Sequence, residues 1–310
     1  MITVPESNDS QCIKISPHAL LIGVADGRSW VATIGKSAVK ALPVSKIAAE
    51  HASLAASLVE GALYAGITRN GESTSGTDGH AGLTGAYTLF RYIRWLVGNY
   101  VFAAQTPGLF RRGAVRFDAI GRADLAAVAR KKAEEEEGHS ELAYRDLEGL
   151  GLPAAQVVRI VEPPSANAFA EQFRSYVESS APIALFGFSY CLERMAVERD
   201  AAFIRRVKTI LPPGAKACRF LKVHSAIGSD STHVHAQLSH FASLTESDLA
   251  TVACAVYETA QRLACQSVMD ESLSDDEIEH RLQRAGIAMV RGPLARPTPE
   301  GVRSLRSGDR

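Results

Sequence analysis

Between residues 84 and 270, apolar positions recur three and four apart, the spacing of one helix face. Ala86–Ala104 carries Leu89, Phe90, Ile93, Leu96, Val97 and Val101, a broad stripe suited to burial. Phe110–Phe117, with three arginines, reads as a connector. Arg122–Leu150 reads as one long helix, and Gly149, Gly151 and Pro153 stop it. Its apolar face passes through Leu125, Val128 and Ala129, then Glu136, His139, Ala143 and Leu147. Further helices are predicted over Asn167–Glu178, Ile183–Val197 and Ala202–Leu211, before Pro212 and Pro213. Ala215–Phe241 reads as a second long helix. Thr245 to Asp248 resembles a capping box, and the helix it opens turns Leu249, Val252, Val256, Leu263 and Val268 inward as far as about Met269.

The two ends differ from this middle. Ile13 and Ile15 alternate, Ala19–Ala25 is an apolar run, Asp26-Gly27 is a turn signal, and Trp30–Ile34 is a second run. An Ala-rich helix is predicted over Ser45–Ala65, and Thr68–Gly82 has the Gly, Ser, Thr and Asn content of a linker. Arg291–Arg310 combines five arginines with prolines and glycines and cannot bury a core. The expected organisation is a small β-then-α appendage at 1–67, a linker at 68–83, a helical domain at 84–270 and a polar, partly disordered tail at 271–310. The fold class is mainly α.

A formal net charge of +0 over 310 residues gives no reason to expect a nucleic-acid partner or an acidic membrane surface. No apolar run approaches the ~20 residues of a membrane span. Met1–Ser10 is polar and has no signal-peptide core, and the cysteines at 12, 191, 218, 254 and 265 form no close pair. Reduced thiols and a cytoplasmic location are therefore expected.

Chemistry concentrates in three stretches. Glu136 and His139 are three apart on the inward face, a spacing that can give a metal ion two ligands in a helical bundle. The competing reading is a solvated face, since Glu134 to Glu137 follow Arg130, Lys131 and Lys132. Glu135 competes with Glu136, lying four residues from His139. Glu193 shares a face with Phe186, Tyr190 and Val197; an acid in such a stripe needs a salt bridge or a cation. The third stretch holds His224, Asp230, His233 and His235, and four of the nine histidines lie between His224 and His240. Imidazole and carboxylate without thiolate suit iron, manganese or zinc. The candidate set is Glu136, His139, Glu193, His224, Asp230 and His233.

Glu135–Gly151, the Tyr190 and Glu193 helix, and Phe220, Leu221, His224, Asp230 and His233 together resemble the heme-oxygenase-like di-iron oxidases and oxygenases, often labelled the iron-containing redox enzyme family. The resemblance covers about residues 84–270. It implies a heme-oxygenase-like helical bundle and two Fe(II) per chain, with manganese as an alternative and O₂ as co-substrate. It also implies oxidation of an amino acid, fatty acid or peptide-derived substrate, in the setting of natural-product biosynthesis, and bundles of this kind often form homodimers. Glu136, His139, Glu193, Asp230 and His233 would then be catalytic metal ligands, with His224 as a further ligand.

The sequence departs from the family at His224, which stands six residues before Asp230 where the family pattern has four. On an ideal helix the nine steps from His224 to His233 turn through ~900° and leave the two on opposite faces. A local unwinding near Gly228 and Ser229 would bring both inward; without it, His235 or a water completes the site. Two other functions stand beside the oxygenase. One is a metal-free member of the same fold, a thiaminase-like hydrolase with Cys191 as nucleophile or a cofactorless oxidase. The other is a non-catalytic binding protein for a metabolite or peptide.

Overall fold

Thr88 opens the first helix of the bundle: its hydroxyl accepts from Arg91 N at 3.1 Å, and α1 follows as Leu89–Ala103. The computed structural model of the chain describes residues 11–13, 21–25, 28–35, 38–43, 58–63, 66–67 and 87–288. The expected linker, the lead at 1–10 and most of the Ser45–Ala65 helix lie outside them.

Strands β1 (Gln11–Ile13), β2 (Leu21–Ala25), β3 (Arg28–Gly35) and β4 (Ala38–Pro43) form an antiparallel sheet in sequence order. Leu21 pairs with Ala32, Ala25 with Arg28, and Gly35 with Ala38. The helical residues 58–63 bury Leu58, Val59, Ala62 and Leu63 in the main helical core. The appendage expected over 1–67 thus shares its last described helical residues with the bundle.

The helices divide between two hydrophobic clusters. The first joins residues 58–63 to α2 (Thr106–Ala119), α3 (Ala123–Glu135) and α6 (Pro164–Glu178). It also takes in α7 (Ala184–Ala196), α10 (Asp230–Phe241) and α11 (Glu246–Ala264). The second joins α1 to α4 (His139–Gly149), α5 (Ala154–Ile160), α8 (Ala201–Ile210), α9 (Arg219–Val223) and α13 (Asp275–Arg284). The short α12 (Gln266–Met269) follows α11. Inside the first cluster Phe173 stacks on Phe188 at 4.8 Å and Phe117 on Phe186 at 5.6 Å. These offset pairs add to the area that the rings bury.

Four expectations are corrected. Phe110–Phe117 is no connector but part of α2: Leu109, Phe110, Gly113, Ala114 and Phe117 turn inward and the arginines outward. The long helix expected over Arg122–Leu150 is two helices, because Glu136 ends α3 and Gly138 takes φ 80°, a left-handed turn that glycine adopts without Cβ strain. The long helix expected over Ala215–Phe241 is broken between Val223 and Asp230. The stretch expected to open the polar tail at 271 holds a helix, α13. Ser274 caps α13 by accepting from Glu277 N at 3.2 Å, and Leu273, Ile278 and Leu282 are buried in the second cluster. Sequence hydropathy missed α13 because two buried residues among eight polar ones suffice when the helix lies at a bundle edge. Residues 289–310 lie outside the description. Among the described residues, no helix is long and apolar enough to cross a membrane.

Candidate metal centre

The two helix breaks meet at the junction of the two clusters. From the first cluster come Lys132, Glu135 and Glu136 at the end of α3, Glu193 on α7, and Asp230 and His233 on the first turn of α10. From the second come His139, the first residue of α4, and His224, the C-cap of α9. All six sequence-predicted candidates lie in this one region. Single side-chain contacts link them, as the next distances show.

His139 Nδ1 lies 2.8 Å from Glu136 Oε2, across the Gly138 turn. The rings of His139 and His224 meet edge to face at 4.7 Å. One ligand atom each from Glu136, His139 and His224 fall within 4.8 Å of one another. Asp230 Oδ2 accepts from His224 Nδ1 at 3.1 Å. With that proton on Nδ1, Nε2 carries the lone pair, the arrangement by which a carboxylate orients a metal-ligating imidazole. His224 Nε2 is buried and makes no hydrogen bond.

The unwinding near Gly228 that His224 requires is present. His224 has φ −94° and ψ 67°, outside the helical region. Gly228 lies so close to the Val223 and Lys222 carbonyl oxygens that a Cβ would collide with both. The chain therefore folds tightly back between His224 and Asp230, so the nine steps from His224 to His233 do not run along one helix that would set them on opposite faces. His235 takes no part: its Nδ1 bonds the Ser231 carbonyl at 2.7 Å and the residue is exposed.

Glu193 has a different surrounding. Its Oε1 accepts from Lys132 Nζ at 2.8 Å and Ser189 Oγ at 2.9 Å, and its Oε2 from Gln237 Nε2 at 2.7 Å. His233 Nδ1 stands 3.9 Å from Glu193 Oε2 and 3.8 Å from Asp230 Oδ1, without a hydrogen bond to either. Its Nε2 is 3.9 Å from Glu135 Oε2, so Glu135 faces the centre together with Glu136.

Of the four carboxylates here, Glu135 and Glu193 pair with the Lys132 ammonium at 3.3 and 2.8 Å, while Glu136 and Asp230 meet His139 and His224. Burial pushes the Glu193 carboxyl up to about 7, with Lys132 pulling the other way and Glu136 and Asp230 adding to the rise. Burial alone would lower Lys132, but Glu193, Glu135 and Glu136 raise it. Burial opposes charge on Glu136, yet its bond to His139 brings the carboxyl below its ordinary value. Burial and the Lys132 ammonium hold His233 below the ordinary imidazole range. A buried excess of negative charge is costly unless cations meet it. The unpartnered Asp230 Oδ1, His224 Nε2 and His233 Nδ1 fit metal coordination, and imidazole with carboxylate suits iron, manganese or zinc.

Lys132, Ser189 and Gln237 were not among the candidates read from the sequence. A signal existed for each. Lys132 continues the stripe of Leu125 and Ala129 four residues before Glu136; Ser189 precedes Glu193 by four and Gln237 follows His233 by four. Tyr190 is fully buried, donates to Glu60 and meets Phe241 edge to face at 5.5 Å, which makes it a packing residue. Cys191 is also fully buried, and burial raises its thiol far above the ordinary range. A nucleophilic cysteine needs the opposite environment.

No protein-family model matches the sequence, and no curated protein does. A solved structure that matches is a domain of unknown function with a heme oxygenase-like fold from Shewanella denitrificans OS217. The TM-score is 0.53 at 16% identity, over 80% of this chain and 97% of that one. The protein is a mainly α chain with a heme-oxygenase-like fold.

Proposed function

We propose that the chain is a non-heme, metal-dependent oxidoreductase that uses O₂ to oxidise a small metabolite: an amino acid, a fatty acid or a peptide-derived compound. Iron is the metal that best suits this chemistry, with manganese as an alternative. Glu136, His139 and His224 would hold one ion; Glu193, Asp230 and His233 are the groups available toward a second. The observation that carries the reading is the convergence of Glu136, His139 and His224 within 4.8 Å, beside buried donor atoms that have no partner among the described residues.

When bound, the metal supplies electrons to O₂ and positive charge at the reacting atoms. The protein's own part is to hold its ligands and limit water. Asp230 keeps His224 in one tautomer, and Glu136 orients His139. The side chains of His139 and His224 each keep 14% exposure while Glu193 and Asp230 are buried, so a substrate would approach from the histidine side. Assignment to natural-product biosynthesis rests on the sequence resemblance.

The test is anaerobic loading with Fe(II), removal of excess metal, and exposure to O₂, followed by metal analysis, O₂ uptake and optical absorption. Iron retained by the wild type, lost in His139→Ala, and O₂ uptake that depends on it are the expected results. A folded wild-type chain that retains no iron would refute the reading and favour a binding protein.

A further inference from the structure

Glu193 is the predicted ligand whose two oxygens are both already bonded within the protein. Lys132 Nζ and Ser189 Oγ hold Oε1, and Gln237 Nε2 holds Oε2. Lys132 Nζ also lies 3.3 Å from Glu135 Oε2. The ammonium therefore stands between two of the carboxylates that border His233. Its side chain is 7% exposed, the same as that of Glu193. A lysine buried this deeply is not part of a solvated charge run. It meets a charge demand that in a two-metal centre would fall to the second ion.

We propose that Lys132 is a built-in cation of this centre. It holds Glu193 in place of a second metal ion, so that the chain takes one divalent ion tightly at Glu136, His139 and His224. A second ion enters only when the ammonium withdraws from Glu193. The proposal rests on the metal-dependent reading above and narrows it to one tight ion, against the two that the sequence resemblance implies. The physical ground is Coulombic. A fixed ammonium within a few ångströms of a second divalent ion repels it, and the carboxylate that would bind that ion is already neutralised. Ser189 and Gln237 reinforce the arrangement, because they orient Glu193 without needing a metal.

The experiment is titration of Mn(II) into the full, metal-stripped chain. Free Mn(II) is followed by electron paramagnetic resonance and bound ions are counted by native mass spectrometry. The wild type is expected to take one ion tightly and a second at least roughly tenfold more weakly. Lys132→Met is expected to take two ions with similar affinities, and its melting temperature should rise more with Mn(II) than that of the wild type. Because Lys132→Met leaves Glu193 uncompensated and risks misfolding without metal, Glu193→Gln is the second variant. Its neutral side chain does not need the ammonium, and it should keep the tight ion unchanged and lose the weak one. Two equally tight ions in the wild type would overturn the proposal and leave the metal-dependent reading standing. So would a Lys132→Met second site no tighter than the wild type's, or loss of the tight ion in Glu193→Gln. No ion on any of these folded chains would overturn both.

Discussion

Lys132 Nζ and Glu193 Oε1 lie 2.8 Å apart, from residues 61 positions apart in sequence, with both side chains 7% exposed. A buried ion pair contributes little net stability compared with apolar residues, but removing one partner strands a charge. Lys132→Met is therefore expected to destabilise the metal-free protein by about 3–5 kcal/mol. The double variant Lys132→Met with Glu193→Gln should recover most of that loss. Urea unfolding of the four members of the cycle, without metal, measures it; a double variant as unstable as Lys132→Met would mean that stranded charge is not the cause.

Asp230 fixes His224 through a 3.1 Å bond while remaining 1% exposed. Replacing such an orienting carboxylate weakens metal affinity by roughly 10–100-fold. Asp230→Asn should show a loss of that size with the helical circular dichroism unchanged, and His224→Ala should lose more. Equal affinity in Asp230→Asn and the wild type would show that the bond orients nothing.

Gly228 lets the chain close between His224 and Asp230, where a Cβ would strike two carbonyl oxygens of the Lys222–Val223 backbone. Gly228→Ala is expected to cost about 1–3 kcal/mol as overpacking against a rigid backbone. It should also weaken metal binding, because the turn sets the position of His224. Gly138→Ala meets no atom within 4 Å, so only its φ of 80° opposes the side chain, at about 1–2 kcal/mol. Denaturant unfolding of both variants, with metal affinity measured in parallel, separates steric from conformational cost.

His240 gives a pH prediction away from the metal ligands. Burial holds its imidazole below the ordinary value, Asp124 opposes this and Arg122 reinforces it. Its Nε2 is buried without a partner, and its ring meets Phe186 edge to face at 5.9 Å. The unfolded chain binds the proton at a higher pH than the folded one, so stability rises with pH between the two values. The contribution is complete above the unfolded value near ~6.5 and is lost as pH falls from there through the lowered folded value. His240→Phe, which keeps the ring packing, should lose less stability than the wild type between about pH 7.5 and about pH 5.5. Identical pH slopes for the two proteins would remove His240 from the account.

Cys191→Ala separates the metal-dependent reading from a thiol-based hydrolase. The thiol is fully buried and burial raises it far above the ordinary range, so the variant should keep metal affinity and O₂ uptake, at a stability cost of about 1 kcal/mol. Loss of catalysis with metal binding intact would reinstate the cysteine.

Local physics carried much of this protein in its sequence. The three- and four-residue spacing of apolar side chains marked most helices, because burial of one face is what stabilises them. Thr245 marked a helix start, and its hydroxyl accepts from Asp248 N at 3.2 Å. The same periodicity turned Glu136, His139 and Glu193 inward, while Asp230 and His233 were marked by their three-residue spacing and the histidines around them. Tertiary structure decided the rest. It ended one helix at Glu136 and another at Val223, where a glycine backbone could turn and the opposite cluster supplied the space. It buried α13, whose two inward residues are too few to register as a core without a partner surface. It also chose Lys132, out of a run of cations, as the partner of Glu193. Periodicity reports which residues share a face within one helix; which faces meet across 61 residues depends on how helices pack, and that is a property of the whole chain.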